Sequence, residues 1–153
     1  MRLRVATTAD VEALAAVHAK AFDTSWAAPD IARLMQIMGG FALIAEGEEE
    51  DVIGFILARA IGGEAEILTL AVAPWARRRG VAAALVEAVV RQALEQGAGA
   101  LFLEVAGDNP AAAGVYLKAG FEQVGIRRAY YARPGAPAMD AIVLRRSLNR
   151  QGR

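Results

Sequence analysis

Ile67-Leu68-Thr69-Leu70-Ala71-Val72-Ala73-Pro74 is followed, after Trp75 and Ala76, by Arg77-Arg78-Arg79-Gly80-Val81-Ala82, and then by a long amphipathic stretch. The first run is apolar and β-branched, and Pro74 ends it, as expected of a buried strand. From Val81 to Gln96 the apolar residues Leu85, Val86, Val89, Val90, Ala93 and Leu94 recur at three- and four-residue steps, which is the helical period. A strand, a short Arg/Gly turn and an immediate helix leave the first helical N–H groups without carbonyl partners. Such an end is a seat for phosphate. Gly80 permits close backbone approach, Ala82 is small enough to do the same one turn in, and the three arginines add charge attraction. The turn is neither a Walker A loop nor a G-x-G-x-x-G fingerprint. Taken alone it also fits a basic surface loop.

Working outward, Arg2 to Ala6 reads as a short strand, and Thr7 to Asp10 as a helix start with Thr8 or Asp10 as cap. A second helix begins at Pro29-Asp30 and stops at Gly39-Gly40. Phe41 to Ala45 and Val52 to Ala60 form a hairpin around the acidic turn from Glu46 to Asp51, which is read as a solvated loop. Glu64 to Ala73 is the strand before the Arg/Gly turn. Beyond the long helix, Ala100 to Val105 is an apolar strand broken only by Glu104. Asn109-Pro110 opens a helix with Asn109 as cap, and that helix ends at Gly120. Phe121 to Ile126 and Ala138 to Leu144 are the last strands. The loop between them carries Tyr130, Tyr131, Pro134 and Pro137. Arg145, Arg146, Arg150 and Arg153 read as a basic tail. The order β-α-α-β-β-β-α-β-α-β-β lacks a regular βαβ repeat, so the expected fold is mixed α/β, with helices on both faces of a mixed sheet.

Composition sets the frame. The 153 residues suffice for one domain, 56% are hydrophobic, and 17 Lys and Arg balance 17 Asp and Glu. A zero net charge gives nucleic-acid binding no support. The absence of cysteine excludes disulfides, thiolate metal sites and a thiol nucleophile. The expectation is a cytoplasmic protein with no secretory signal, no membrane span and no metal; His18, the only histidine, reads as structural.

Arg77-x-x-Gly80-x-Ala82 matches the [Q/R]-x-x-G-x-[G/A] acetyl-CoA signature, and the chain resembles the GCN5-related N-acetyltransferases (GNAT). Leu103-Glu104-Val105, Asn109-Pro110-Ala111-Ala112, Val115-Tyr116, Gly120-Phe121, Ile126-Arg127-Arg128, Tyr130-Tyr131 and Asp140-Ala141 follow in order. That series is similar to the RimI branch, the ribosomal-protein alanine N-acetyltransferases. The resemblance is good over residues 40 to 146, looser over the first 40, and implies a single domain to residue 146 with a tail of 147–153. It also implies a GNAT-like mixed, mostly antiparallel sheet. Acetyl-CoA is the implied cosubstrate, and a protein or peptide N-terminus, such as that of a ribosomal protein, is the implied partner. Arg77 stands where glutamine is commoner and Ala82 where glycine is commoner. Residues 134–139 lack the polar side chains expected before Asp140-Ala141.

Acetyl transfer to an amine requires a neutral nucleophile, a polarised carbonyl and a stabilised leaving thiolate. Alternation places Leu101, Leu103 and Val105 on one face of their strand and Phe102 and Glu104 on the other. Glu104 is either a base whose pKa is raised by desolvation or a surface carboxylate paired with an arginine. Tyr116 lies seven residues after Asn109, about two helical turns, so the two share a side. The resemblance makes Tyr116 the acid for the coenzyme A thiolate. Full transfer from a tyrosine of pKa about 10 to a thiolate of about 8.5 is uphill by roughly 2 kcal/mol, which favours hydrogen-bond donation; a core tyrosine is the alternative. The resemblance further gives Leu70, Ala71 and Val72 to the pantetheine arm and Arg77, Arg78, Arg79, Gly80, Val81, Ala82 and Ala83 to the pyrophosphate. It adds Asn109 to the cofactor contacts. Tyr130 and Tyr131 either grip the acceptor or pack a loop. Phe22 and Trp26 read first as core and second as acceptor-side wall. Acetylation of a lysine or small amine, and a non-catalytic acyl-CoA-binding module, are the rival functions.

Overall fold

The computed structural model describes residues 1–23, 25–132 and 135–148. Its elements are β1 (Arg2–Val5), a 3-10 turn at Thr8–Asp10, α1 (Val11–Ala21), α2 (Ala28–Gln36), β2 (Gly40–Glu46), β3 (Val52–Ile61) and β4 (Glu64–Val72). After a 3-10 turn at Pro74–Ala76 come α3 (Val81–Glu95), β5 (Ala100–Ala106), α4 (Pro110–Lys118), β6 (Glu122–Tyr131) and β7 (Met139–Ser147). The seven strands form one sheet in the order β1-β2-β3-β4-β5-β7-β6. All neighbours are antiparallel except β4 and β5. The expected α/β mixed sheet with helices on both faces is therefore present.

Alternation sorts the core onto the two faces of this sheet. Val81, Leu85, Val86, Val89 and Ala93 of α3 pack with Ile56, Ile67, Leu101 and Leu103 on one side. On the other, Leu14 and Val17 of α1 and Ile31 of α2 pack with Ile44, Phe55 and Leu57. Among the described residues no helix is long and apolar enough to cross a membrane.

The decisive irregularity lies between β4 and β5. Their parallel pairing covers only Ala65↔Leu101 and Glu66↔Phe102. Beyond it β4 keeps β3 as far as Val72, and β5 keeps β7 as far as Ala106, but β4 and β5 no longer pair. Leu68 is an extra residue on β4, because Leu57 faces Thr69 while Ala58 faces Ile67. A bulge of this kind bends and twists its strand, and the strands part where it sits.

Four expectations are corrected. Tyr130 and Tyr131 lie on β6 and not in a loop. Between Arg127 and Tyr131 the strand carries more residues than β7 does between Ala141 and Met139. Ala129 takes up the excess at φ 51, its N–H donating to Asp140 Oδ1 at 2.8 Å, and pairing then resumes. Glu46 is a buried strand residue and not part of the solvated acidic turn. It accepts from Arg2 Nε at 3.1 Å and Arg4 Nε at 2.8 Å across the β1–β2 pair. Arg145 and Arg146 belong to β7 and not to a tail. Arg146 donates to Glu87 on α3 at 2.6 Å and to the Ala119 carbonyl at 2.9 Å. The strand also takes in Ser147, and Leu148 is buried with its N–H donating to Gly99 O at 2.9 Å. Pro134, Arg150 and Arg153 lie outside the described residues.

Candidate active site

Where β4 and β5 separate, a cleft of about 330 Å³ opens through the sheet. Ile67, Leu68, Thr69 and Leu70 form one wall, and Leu103, Glu104, Val105 and Ala106 the other. Asn109 at the cap of α4, with Ala112 and Tyr116 on that helix, closes one side; Tyr131 of β6 and then His18, Phe22 and Trp26 complete the lining. The outward N–H and C=O groups of β4 beyond the bulge are a free strand edge, suited to an extended ligand with amide groups of its own.

The Arg/Gly turn leads into α3. Gly80 is the N-cap at φ 78, and Arg78 also has a left-handed backbone at φ 65. The first helical bond runs from Ala84 N–H to Gly80 O at 3.0 Å, so the N–H groups of Val81, Ala82 and Ala83 stand ahead of the ladder. Backbone amides before and within a helix start, with left-handed residues among them, form an anion-binding concavity. A Cβ added at Gly80 would meet nothing within 4 Å, so the space beside it is open. Arg77, Arg78 and Arg79 are all exposed around it. The residues present thus fit a pyrophosphate at α3 and an amide-bearing arm along β4.

The chemistry-bearing side chains converge on the cleft from three elements. Glu104 stands on the face of β5 opposite Leu103 and Val105, as alternation requires. Its Oε1 accepts from Arg127 Nη1 at 2.7 Å, and that guanidinium lies 4.0 Å from the centre of the Tyr130 ring. The arginine-paired form of Glu104 is therefore the one seen. Next to it, burial together with the Glu104 charge pushes the Glu66 carboxyl up from its ordinary value. Asn109 caps α4, its Oδ1 accepting from Ala112 N–H at 3.2 Å. Tyr116, two turns on, is buried against Phe121 with ring centres 5.6 Å apart, and burial pushes its phenol well above the ordinary value. A phenol so shifted holds its proton and acts as a hydrogen-bond donor. Tyr131 is half-buried, and burial pushes its phenol up as well. Tyr130, its T-shaped neighbour at 5.2 Å, is exposed at the rim.

Two features were not readable along the chain. Arg127 pairs with a residue 23 positions away, and His18 bonds Thr69 51 positions away. Neither separation leaves a periodic signal. Phe22 and Trp26, read first as core, do line the cleft and stack on His18 with ring centres at 4.4 and 5.2 Å.

The acetyltransferase (GNAT) family model matches residues 11–121. Over 97 residues the chain is 32% identical to the ribosomal protein bS18-alanine N-acetyltransferase of Haemophilus ducreyi, covering 63% of this chain and 67% of that protein. An uncharacterized protein of Mycobacterium leprae is 32% identical over 145 residues, which is 92% of this chain but 39% of the relative, so the chain spans well under half of that protein's length. The crystal structure of the ribosomal-protein-S18-alanine N-acetyltransferase from Escherichia coli superposes with a TM-score of 0.87 at 25% identity, over 97% of this chain and 94% of that one. The split between β4 and β5, the amide-lined start of α3 and this matched span agree with one another, and the chain belongs to the acetyltransferase (GNAT) family.

Proposed function

We propose that this protein transfers the acetyl group of acetyl-CoA directly to the α-amine of a protein N-terminus, in the cytoplasm, and that its acceptor is a ribosomal protein beginning with alanine. The observation that carries the reading is the single cleft in which Glu104, Asn109, Tyr116 and Tyr131 meet the free edge of β4. The relatives whose names specify alanine N-acetylation of a ribosomal protein support the choice of acceptor.

When bound, acetyl-CoA supplies an activated thioester. In this reading the N–H groups of Arg78 to Ala83 hold its pyrophosphate, with Arg77, Arg78 and Arg79 adding charge. The backbone of Leu70, Ala71 and Val72 pairs with its pantetheine arm and polarises the carbonyl, and Asn109 contacts it from α4. Glu104 accepts the proton of the acceptor ammonium, directly or through one water. In this reading that ammonium, itself a cation, takes the place of the Arg127 guanidinium that pairs with the carboxylate in the free protein. Tyr116 donates a hydrogen bond to the sulfur as negative charge develops there. Tyr130 and Tyr131 flank the acceptor peptide at the rim.

The test is a mass-read panel of N-terminal peptides, peptides with only lysine amines, and polyamines, each incubated with acetyl-CoA and the protein. Acetylation of the alanine-initiated peptide at its α-amine is expected. Products only from lysine or polyamines would reject the N-terminal reading. Glu104→Gln and Tyr116→Phe are each expected to lower kcat tenfold or more, about 1.4 kcal/mol of barrier or above, with acetyl-CoA binding retained. Full activity in both variants would remove the assigned roles.

A further inference from the structure

His18 is the chain's only histidine, and the residue is 2% exposed although it lines the cleft. Its ring has a defined partner on every side. The Trp26 backbone N–H donates to Nδ1 at 3.1 Å, and Nε2 lies 3.2 Å from Thr69 Oγ1 on β4, next to the bulge at Leu68. Phe22 and Trp26 stack on the imidazole at interplanar angles of 24° and 21°, and Phe55 lies tilted beneath it at 6.3 Å. Because Nδ1 accepts a hydrogen bond, it carries no proton; the proton of the neutral ring is on Nε2 and is donated to Thr69. One imidazole therefore ties the chain at Trp26 to the strand whose free edge borders the cleft.

Building on the acceptor reading above, we propose that His18, as the neutral Nε2–H tautomer, is a positioning residue that fixes the Phe22/Trp26 wall of the acceptor side of the cleft. Protonation at Nδ1 would set two N–H donors against each other at Trp26 and release that wall. The groups that share the cleft with the ring are Glu104 on β5, Tyr116 on α4 and Tyr131 on β6. On α1 itself, Lys20 points elsewhere, its Nζ 4.9 Å from the centre of the Trp75 ring. Burial among aromatic rings holds the imidazole below its ordinary pKa of 6.5, so the neutral form prevails at pH 7.

Nitrogen NMR of the ring reads the tautomer without any activity measurement, and a single histidine needs no assignment. A protonated Nε2 and a bare Nδ1 at pH 7 are expected. The opposite tautomer, or an imidazolium, would overturn the proposal. Kinetics supplies the positioning test, using whichever amine the panel above identifies, so that a wrong acceptor class and a wrong role for His18 give different results. His18→Phe keeps the stack and loses both hydrogen bonds. Its acceptor KM is expected to rise tenfold or more, with kcat and the acetyl-CoA KM within about twofold of wild type. His18→Asn, whose Oδ1 can take the Trp26 N–H, is expected to restore the acceptor KM to within about threefold. Thr69→Val, which removes only the second bond, is expected to fall between them. Equal losses in kcat and in both KM values across the Phe and Asn variants would mean a merely structural histidine and overturn the proposal.

Discussion

At Gly80 two requirements coincide in one residue. The backbone sits at φ 78, where a side chain costs roughly 1 kcal/mol, and a Cβ there would point into open space beside the free amides of α3. Gly80→Val is therefore expected to weaken acetyl-CoA binding about tenfold or more while lowering stability by only about 1 kcal/mol. Isothermal calorimetry checks the first and urea denaturation the second. Unchanged affinity would deny the pyrophosphate seat. Glycine in this turn was legible because a strand, a turn and a helix start were all visible around it. The Asn109/Tyr116 pair was legible for a similar reason, since spacing on one helix dictates a shared side. What Glu104 does in the free protein was not legible. A strand pattern reports the face a residue takes, and the partner it finds there, Arg127, comes from a strand separated by α4.

Among the elements, β1, β2 and the start of α1 are joined by a charged network rather than by apolar contact alone. Arg4 reaches Asp10 at 2.9 and 3.0 Å and Glu46 at 2.8 Å. The Arg4 guanidinium, helped by the Thr7 N–H, holds the Asp10 carboxyl down from 3.8 to about 2. It likewise holds Glu46 below its ordinary value. A carboxyl depressed in the folded state stabilises fully above its ordinary pKa, and that stability is lost as pH falls through the depressed value. The thermal midpoint is thus expected to decline between about pH 4 and 2, and Asp10→Asn to flatten that decline. At pH 7 the same substitution is expected to cost about 1–2 kcal/mol by urea denaturation, since it leaves part of the Arg4 guanidinium unpaired. Arg146 performs the corresponding task at the other end of the sheet, where it ties β7 to α3 and to the end of α4. Glu46, Arg145 and Arg146 read as loop or tail along the chain for one physical reason. Charged side chains at strand ends look like loop or tail when seen in sequence, and only the partner strand or helix shows that they are paired. The extension of β6 to Tyr131 was hidden by the left-handed Ala129, a residue type with no preference for such a backbone.

For the molecule as a whole, one sheet carries two cores, and the cleft lies where that sheet is split. α3 and its partners form one core, α1 and α2 with β2 and β3 the other, and β4 contributes to both through Ile67 on one face and Ala71 on the other. Because the two cores share the same strands, they should unfold together, as expected of a domain of this size. A ligand bridging the N-terminus of α3 and the free edge of β4 stabilises the folded state only, by about 2.7 kcal/mol at a hundred times its Kd. For a chain of this length each kcal/mol moves the midpoint by about 2–4 °C. Coenzyme A at that concentration is therefore expected to raise a single thermal transition by roughly 5–10 °C, read by scanning calorimetry or by fluorescence of Trp26 and Trp75. In Gly80→Val, at the same coenzyme A concentration, a tenfold loss of affinity removes about half of that rise and a larger loss removes more. Two separable transitions, with only one responding to coenzyme A, would mean that the cores are independent and that the split in the sheet divides the fold as well as the site.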